Sequence, residues 1–283
     1  MSDASEVTTR VGPETLRAVI RELDLDERLV CLHSSLRSFG PVDGGAATIV
    51  DAFLAEGCTL LVPTFSWERF GVAPDPDTPL PVRNGSDYDP NRVPGGPMEP
   101  GDVYDPRSSR VDESSMGSVP LEVLKREGRS RGTHPLCSFS ALGPAASMAI
   151  AGQTAVDVFA PLRLLVARRG AAVLAGTDLT TMTLVHLAEQ IAGRAMSIRW
   201  ARATSGPTPV RVGGCSAGFE KLTPTLNAIE RNIAVGRSHW RIFDAADAVE
   251  AIREAIAVNP RITSCDDPSC LRCADALLGG PTG

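Results

Sequence analysis

The order of apolar and polar positions along the chain predicts an alternation of helices and buried strands. In residues 14–24 (ETLRAVIRELD), Leu16, Val19, Ile20 and Leu23 recur at helical spacing, so an amphipathic helix is expected with that stripe inward. Residues 29–35 (LVCLHSS) form an apolar run closed by small polar residues, as a strand buried on both faces does. The loop LRSFGPVDGG separates it from a helix, ATIVDAFLAEG, ending at Gly57, and a second buried strand follows, CTLLVPTF. Strand, loop, helix, strand is a βαβ unit, which sets strands parallel under a covering helix. Further on, SVPLEVLKREG has a proline near its start and a glycine at its end, as a helix would. CSFSALG reads as a short strand, AAVLAG (171–176) as a buried one, and TTMTLVHLAEQIAG as a helix ending at Gly193. Residues 195–220 read as strand, turn, strand, and helical stretches are expected at about 222–232 and 244–257. The expected fold class is therefore α/β, a single domain with a mixed central sheet, parallel at first with an antiparallel addition, flanked by helices.

Between these elements, residues 71–110 are rich in Pro, Gly and Asp. A stretch of that length is either disordered or a functional lid, and a loop folding over a substrate cleft is the reading preferred here. Its acidic side chains, with Glu68, Asp75, Asp77, Asp87 and Asp89 as candidates, could hold a polycation or simply be solvated.

The 283 residues suit one large α/β domain or two small ones, and 43% hydrophobic content is enough to bury a core. A net charge of −6, no basic run and 5% aromatic residues argue against nucleic acid, which needs a basic face or stacking platforms. The first residues lack a basic segment followed by an apolar one, and no apolar run approaches the roughly 18 residues of a membrane span. A cytoplasmic protein without a membrane partner is the expectation.

Four histidines carry the candidate chemistry. His186 shares one helical face with Thr183, Glu189 and Gln190, while the other faces are apolar. This polar stripe follows a buried strand, where open α/β folds collect ligands. An imidazole beside a carboxylate can accept a proton near neutral pH; the same spacing also fits a His–Glu pair satisfying itself on a solvated face. His33, Ser34 and Ser35 end the first strand ahead of a glycine-containing loop and a helix N-terminus, an arrangement suited to an anion or to a plain connection. Neither GxGxxG, a P-loop nor GxSxG is present. His134, held extended by Pro135, reads as architecture, and His239 as a surface position or a phosphate contact. Of seven cysteines, Cys265, Cys270 and Cys273 lie near the C-terminus with C-x4-C-x2-C spacing. That spacing suits a structural zinc knuckle in a tail spanning 258–283, with Cys215 as first choice for the fourth ligand and His239 as second; free thiols on a frayed tail are the alternative.

Taken together, LHSSLRSFG, CTLLVPTF, SSMGSVPLEVLKREG, RSRGTHPLCSFSALG, FAPLRLL, LAGTDLTTMTLVHLAE and GGCSAGFEKL, in that order, resemble the aminoglycoside 3-N-acetyltransferase family, the antibiotic N-acetyltransferase fold. The resemblance implies a single acetyltransferase domain over residues 12–257, acetyl-CoA held in an extended tunnel, and direct transfer to a small-molecule amine. It maps the family's HxxE pair onto His186, as general base, and Glu189. It places His33, Ser34, Ser35, Leu36 and Gly40 along the pantetheine, with Arg110, Ser115, Met116 and Gly117 lining the CoA channel. An aminoglycoside or related aminocyclitol is the implied substrate, in antibiotic resistance or antibiotic biosynthesis, and a homodimer is left open. The weak match between Phe65 and Asp105 leaves aminoglycoside specificity open and keeps other group transfers on this fold as an alternative, and the cysteine cluster with the long Pro/Gly/Asp loop keeps a zinc-stabilised interaction module as another.

Overall fold

The computed structural model describes residues 10–75, 77–79 and 103–278. In chain order its elements are α1 (Pro13–Glu22), β1 (Leu29–Ser34), α2 (Ala46–Ala55), β2 (Thr59–Pro63), α3 (Trp67–Phe70), α4 (Glu113–Met116) and α5 (Ser118–Lys125). There follow β3 (Ser130–Arg131), β4 (Phe139–Leu142), α6 (Ala146–Ile150), α7 (Ala160–Ala167), β5 (Ala171–Ala175) and α8 (Leu184–Ile191). The last are β6 (Ser197–Ala203), β7 (Gly206–Val212), α9 (Thr223–Leu226), β8 (Arg231–Val235), β9 (Ser238–Asp244), α10 (Ala245–Val258) and α11 (Leu271–Leu278).

The seven-stranded sheet has the order β3-β4-β2-β1-β5-β9-β8. Its middle is the parallel trio β2, β1 and β5, and its strands pair antiparallel on either side. Successive residues of each central strand serve opposite helix layers. Cys31, Leu61, Ala172 and Leu174 pack with α6, α7, α8 and α10. Val30, Leu32, Leu60, Val62 and Val173 pack with α1, α2 and α5. Continuous apolar runs are therefore what these strands require, since neither face meets water. The chain leaves β1 on one side to reach β2 and returns on the other to form β5, so β1 marks a switch point with a crevice at its carboxyl end.

Two expectations are corrected. The strands in residues 195–220 form a separate hairpin, β6–β7, rather than the antiparallel addition to the sheet. That addition comes instead from β4 with β3 and from the β8–β9 hairpin. The helix expected over 222–232 stops at Leu226. Leu222, Leu226, Ile229 and Ile233 fit helical spacing, but the tight turn at Gly236–Arg237 lets Ile233 and Val235 pair with Trp240 and Ser238. Fully buried Trp240 then packs between Phe39 and Phe53, and this tertiary burial outweighs the helical pattern. Most of the segment read as a lid, with Asp87 and Asp89, lies outside the described residues; Glu68, Asp75 and Asp77 are exposed.

His134 ties the sheet to the hairpin. Its Nδ1 accepts from the Cys137 backbone N–H at 2.9 Å, and its Nε2 donates to the Arg211 carbonyl at 2.7 Å. That bonding demands a neutral ring, and burial pushes its pKa down to about 4. Burial does the same to His33. Because these rings bind protons less readily folded than unfolded, their contribution is complete above the ordinary value of 6.5 and is lost as pH falls from there towards 4. Urea midpoints are therefore expected to decline between pH 6.5 and 4.5, with a shallower decline in His134→Gln; equal slopes would refute this assignment.

Candidate active site

His186 sits on α8, where it meets the crevice at the carboxyl end of β1 and β5. Its Nδ1 lies 2.8 Å from Glu189 Oε2, with the two side chains 12% and 11% exposed. An ionised carboxylate can only accept, so the proton of this bond belongs to Nδ1, and in the neutral ring Nε2 carries the free lone pair. The ring is walled by Phe219, edge-on with centroids 4.8 Å apart, and by Phe159, parallel at 6.1 Å. At Gly213 an added Cβ would stand 2.6 Å from His186 Cδ2, so only glycine permits this close approach of the backbone.

Glu189 is saturated from behind. Arg194 Nη1 donates to Oε1 at 2.6 Å, and the Thr263 hydroxyl donates to the same oxygen. Arg194 reaches back because α8 ends in a Schellman turn. Gly193 takes φ +88, its N–H bonds Gln190, and the Arg194 N–H bonds the Glu189 carbonyl at 3.0 Å. Burial alone would raise the Glu189 carboxyl, but bonds and charge from His186, Thr263 and Arg194 outweigh it and hold it below its ordinary value. The dyad's carboxylate therefore stays ionised at neutral pH.

His186 lines a cavity of about 260 Å³ together with His33, Ser34, Phe65, Ser115, Met116, Thr177, Thr183, Ser216 and Phe219. Ser34, Ser115, Met116 and Thr177 also line a second, outer cavity of about 690 Å³, together with Ser35, Leu36, Gly40 and Gly117. The two cavities share the first four of these residues as a wall, and His186 lines only the first cavity. At the shared wall the hydroxyls of Ser34 and Thr177 are buried without a hydrogen-bond partner, and so are available to a ligand. Met116 is fixed there by the Phe65 N–H, 3.2 Å from its sulfur.

Of the residues singled out from sequence, these cavities bring together His33, Ser34, Ser35, Leu36, Gly40, Ser115, Met116, Gly117 and His186. Arg110 is not among their lining; it is exposed, and its carbonyl accepts from Arg131. Arg131 anchors the segment before α4 by further bonds to the Ser108 and Thr64 carbonyls. Sequence reasoning missed Arg194, Thr263, Thr177 and Arg131. Arg194 alone had a local signal, standing directly after the helix-ending Gly193.

Behind the dyad, Cys215, Cys265, Cys270 and Cys273 present their sulfurs within 4.8 Å of one another. Tetrahedral zinc with Zn–S of about 2.3 Å needs sulfurs about 3.8 Å apart, so small shifts would close this set around a metal. His239 stands exposed on β9 and is not part of the cluster.

The sequence model described as Aminoglycoside 3-N-acetyltransferase matches residues 31–257. The chain is 32% identical over 225 residues to aminoglycoside N(3)-acetyltransferase IX of Micromonospora chalcea, covering 76% of this chain and 74% of that one. The crystal structure of the aminoglycoside acetyltransferase AAC(3)-IVa apoenzyme shares the fold at a TM-score of 0.74 and 20% identity, over 95% of this chain and 98% of that one. A structure of AAC-IIIb, binary with CoASH, does so at 0.66 and 20%, over 90% and 99%. The mixed sheet, the cleft and the family match converge: the chain belongs to the aminoglycoside 3-N-acetyltransferase family and is an acyltransferase.

Proposed function

We propose that the chain moves the acetyl group of acetyl-CoA directly to an amine of an aminoglycoside or related aminocyclitol, with His186 as general base. The observation that carries this reading is the dyad itself, an imidazole held by Glu189 through Nδ1 in the wall of a cavity that adjoins a larger one. In the reaction the neutral amine nitrogen attacks the thioester carbonyl carbon while Nε2 takes the N–H proton. The C–S bond breaks, and the imidazolium returns that proton to the departing CoA thiolate. Glu189 favours the imidazolium in between. The hydroxyls of Ser34 and Thr177, unpaired at the shared wall, are placed to bond the thioester oxygen or the pantetheine amides. The names of the relatives support the amine class, and the CoASH complex of AAC-IIIb supports the donor. The four-cysteine cluster is read as a structural zinc site. Among the described residues no helix is long and apolar enough to cross a membrane, and a cytoplasmic site of action, where acetyl-CoA is at hand, is part of the same proposal.

Thiol release from acetyl-CoA, with a 42-dalton gain on the amine, tests the reading across an aminoglycoside panel; 42 is about the mass of an added acetyl group less one hydrogen. Absence of release with every amine contradicts it. His186→Ala should leave acetyl-CoA binding intact and lower kcat by about 10²-fold or more; near wild-type turnover rejects the base assignment. Gly213→Ala should displace the ring and cost about 10-fold or more in kcat, because a misplaced catalytic group forfeits orientation. Unchanged kcat in that variant would mean the close approach has no role.

A further inference from the structure

The four-cysteine cluster sits where it can act on the dyad. Its ligands come from three segments, and two of them also touch the catalytic pair. Cys215 lies between Gly213, whose backbone presses against His186, and Ser216, which lines the same cavity as His186. Cys265 lies two residues after Thr263, whose hydroxyl bonds Glu189. The third segment carries Cys270 and Cys273, the latter on α11, whose residues Arg272, Cys273 and Ala276 close the small space behind His186, Glu189 and Arg194.

Apolar packing does little to hold α11 there. Among its described side chains only Asp275 is buried, and Leu271 is 50% exposed. An eight-residue helix is not stable on its own, so something other than a core must dock it. The sulfur of Cys273 accepts the Cys265 backbone N–H at 3.4 Å and lies 3.5 Å from the Cys265 sulfur. N–H donation to sulfur is the outer-shell arrangement that supports thiolate ligands on a metal.

We infer that a thiolate-bound zinc ion at Cys215, Cys265, Cys270 and Cys273 is a positioning centre for catalysis, clamping the Gly213 turn over His186 and the Thr263 segment onto Glu189. This rests on the acetyltransferase reading and goes beyond a zinc that merely stiffens a tail. The metal takes no part in the chemistry. It fixes the two backbone segments that set the ring's orientation and the carboxylate's bonds, and the free energy of binding it is spent on docking α11.

The test uses the full chain. Protein purified without chelator should hold one zinc per chain, and exchange with cobalt should give the charge-transfer and d–d bands of a tetrahedral thiolate site. Cys270→Ser and Cys273→Ser, or chelated wild type, should lose the metal, keep acetyl-CoA affinity within about 3-fold, and lose about 10-fold or more in kcat with a raised KM for the amine. Cys270→His, which retains a zinc ligand, should regain metal and most of the kcat. Metal content and the cobalt spectrum are read whether or not any amine is acetylated, so they stand apart from the substrate assignment. The inference is overturned if neither zinc nor cobalt binds, or if metal-free protein turns over like wild type. It is equally overturned if metal loss abolishes acetyl-CoA binding as well, since the ion would then support the whole fold and not the dyad.

Discussion

The bond between His186 Nδ1 and Glu189 is the interaction on which the site depends, because it decides which ring nitrogen is bare. A buried carboxylate is costly unless every lone pair is met, and removal of one partner leaves an uncompensated charge. Here one oxygen takes the imidazole and the other takes Arg194 and Thr263. The pair is thus held as a unit of four side chains drawn from α8, the turn that ends it, and the segment after α10. His134 supplies the contrast within the same chain. Its Nδ1 accepts from backbone amides, so its proton must sit on Nε2, and it serves architecture. As neutral rings, His186 and His134 carry opposite tautomers, and their hydrogen-bond partners set the difference.

The fold puts that unit to use through the switch at β1. Crossovers leave β1 in opposite directions, and the crevice between them receives the ends of β1, β2 and β5, the start of α5 and the polar face of α8. The residues that line it come from elements far apart in sequence, yet each is fixed by a packed strand or helix. Such backing suits the proposed reaction, in which an amine and a thioester would have to meet one nitrogen within a few tenths of an ångström.

Much of this was legible in the sequence. The central strands announce themselves because burial on both faces confines their polar residues to the strand ends, Thr59 at the start of β2 and His33 and Ser34 at the end of β1, and the His186–Glu189 stripe stands out because it interrupts an apolar helix. The cysteine spacing reads as a ligand set from its chemistry, and the Gly-rich turn around Cys215 marks it out as the fourth member. What could not be read depends on long-range contacts. Ile229 and Ile233 keep helical spacing, and only the cavity-filling of Trp240 between Phe39 and Phe53 decides for a hairpin. The pairing of β6 with β7 is local, but its separation from the main sheet is not. Arg194 and Thr263 are 69 residues apart, and apart from the helix-ending Gly193 before Arg194 nothing near them points to a shared carboxylate. Thr177 is conspicuous only once its hydroxyl is seen to be buried and unpaired.

With four histidines in the chain, nitrogen-15 spectra of the imidazole rings at neutral pH address the central claim most directly. The account predicts that His186 shows a protonated, hydrogen-bonded Nδ1 and an unprotonated Nε2, the reverse of His134. A proton on His186 Nε2, with Nδ1 bare, would contradict it.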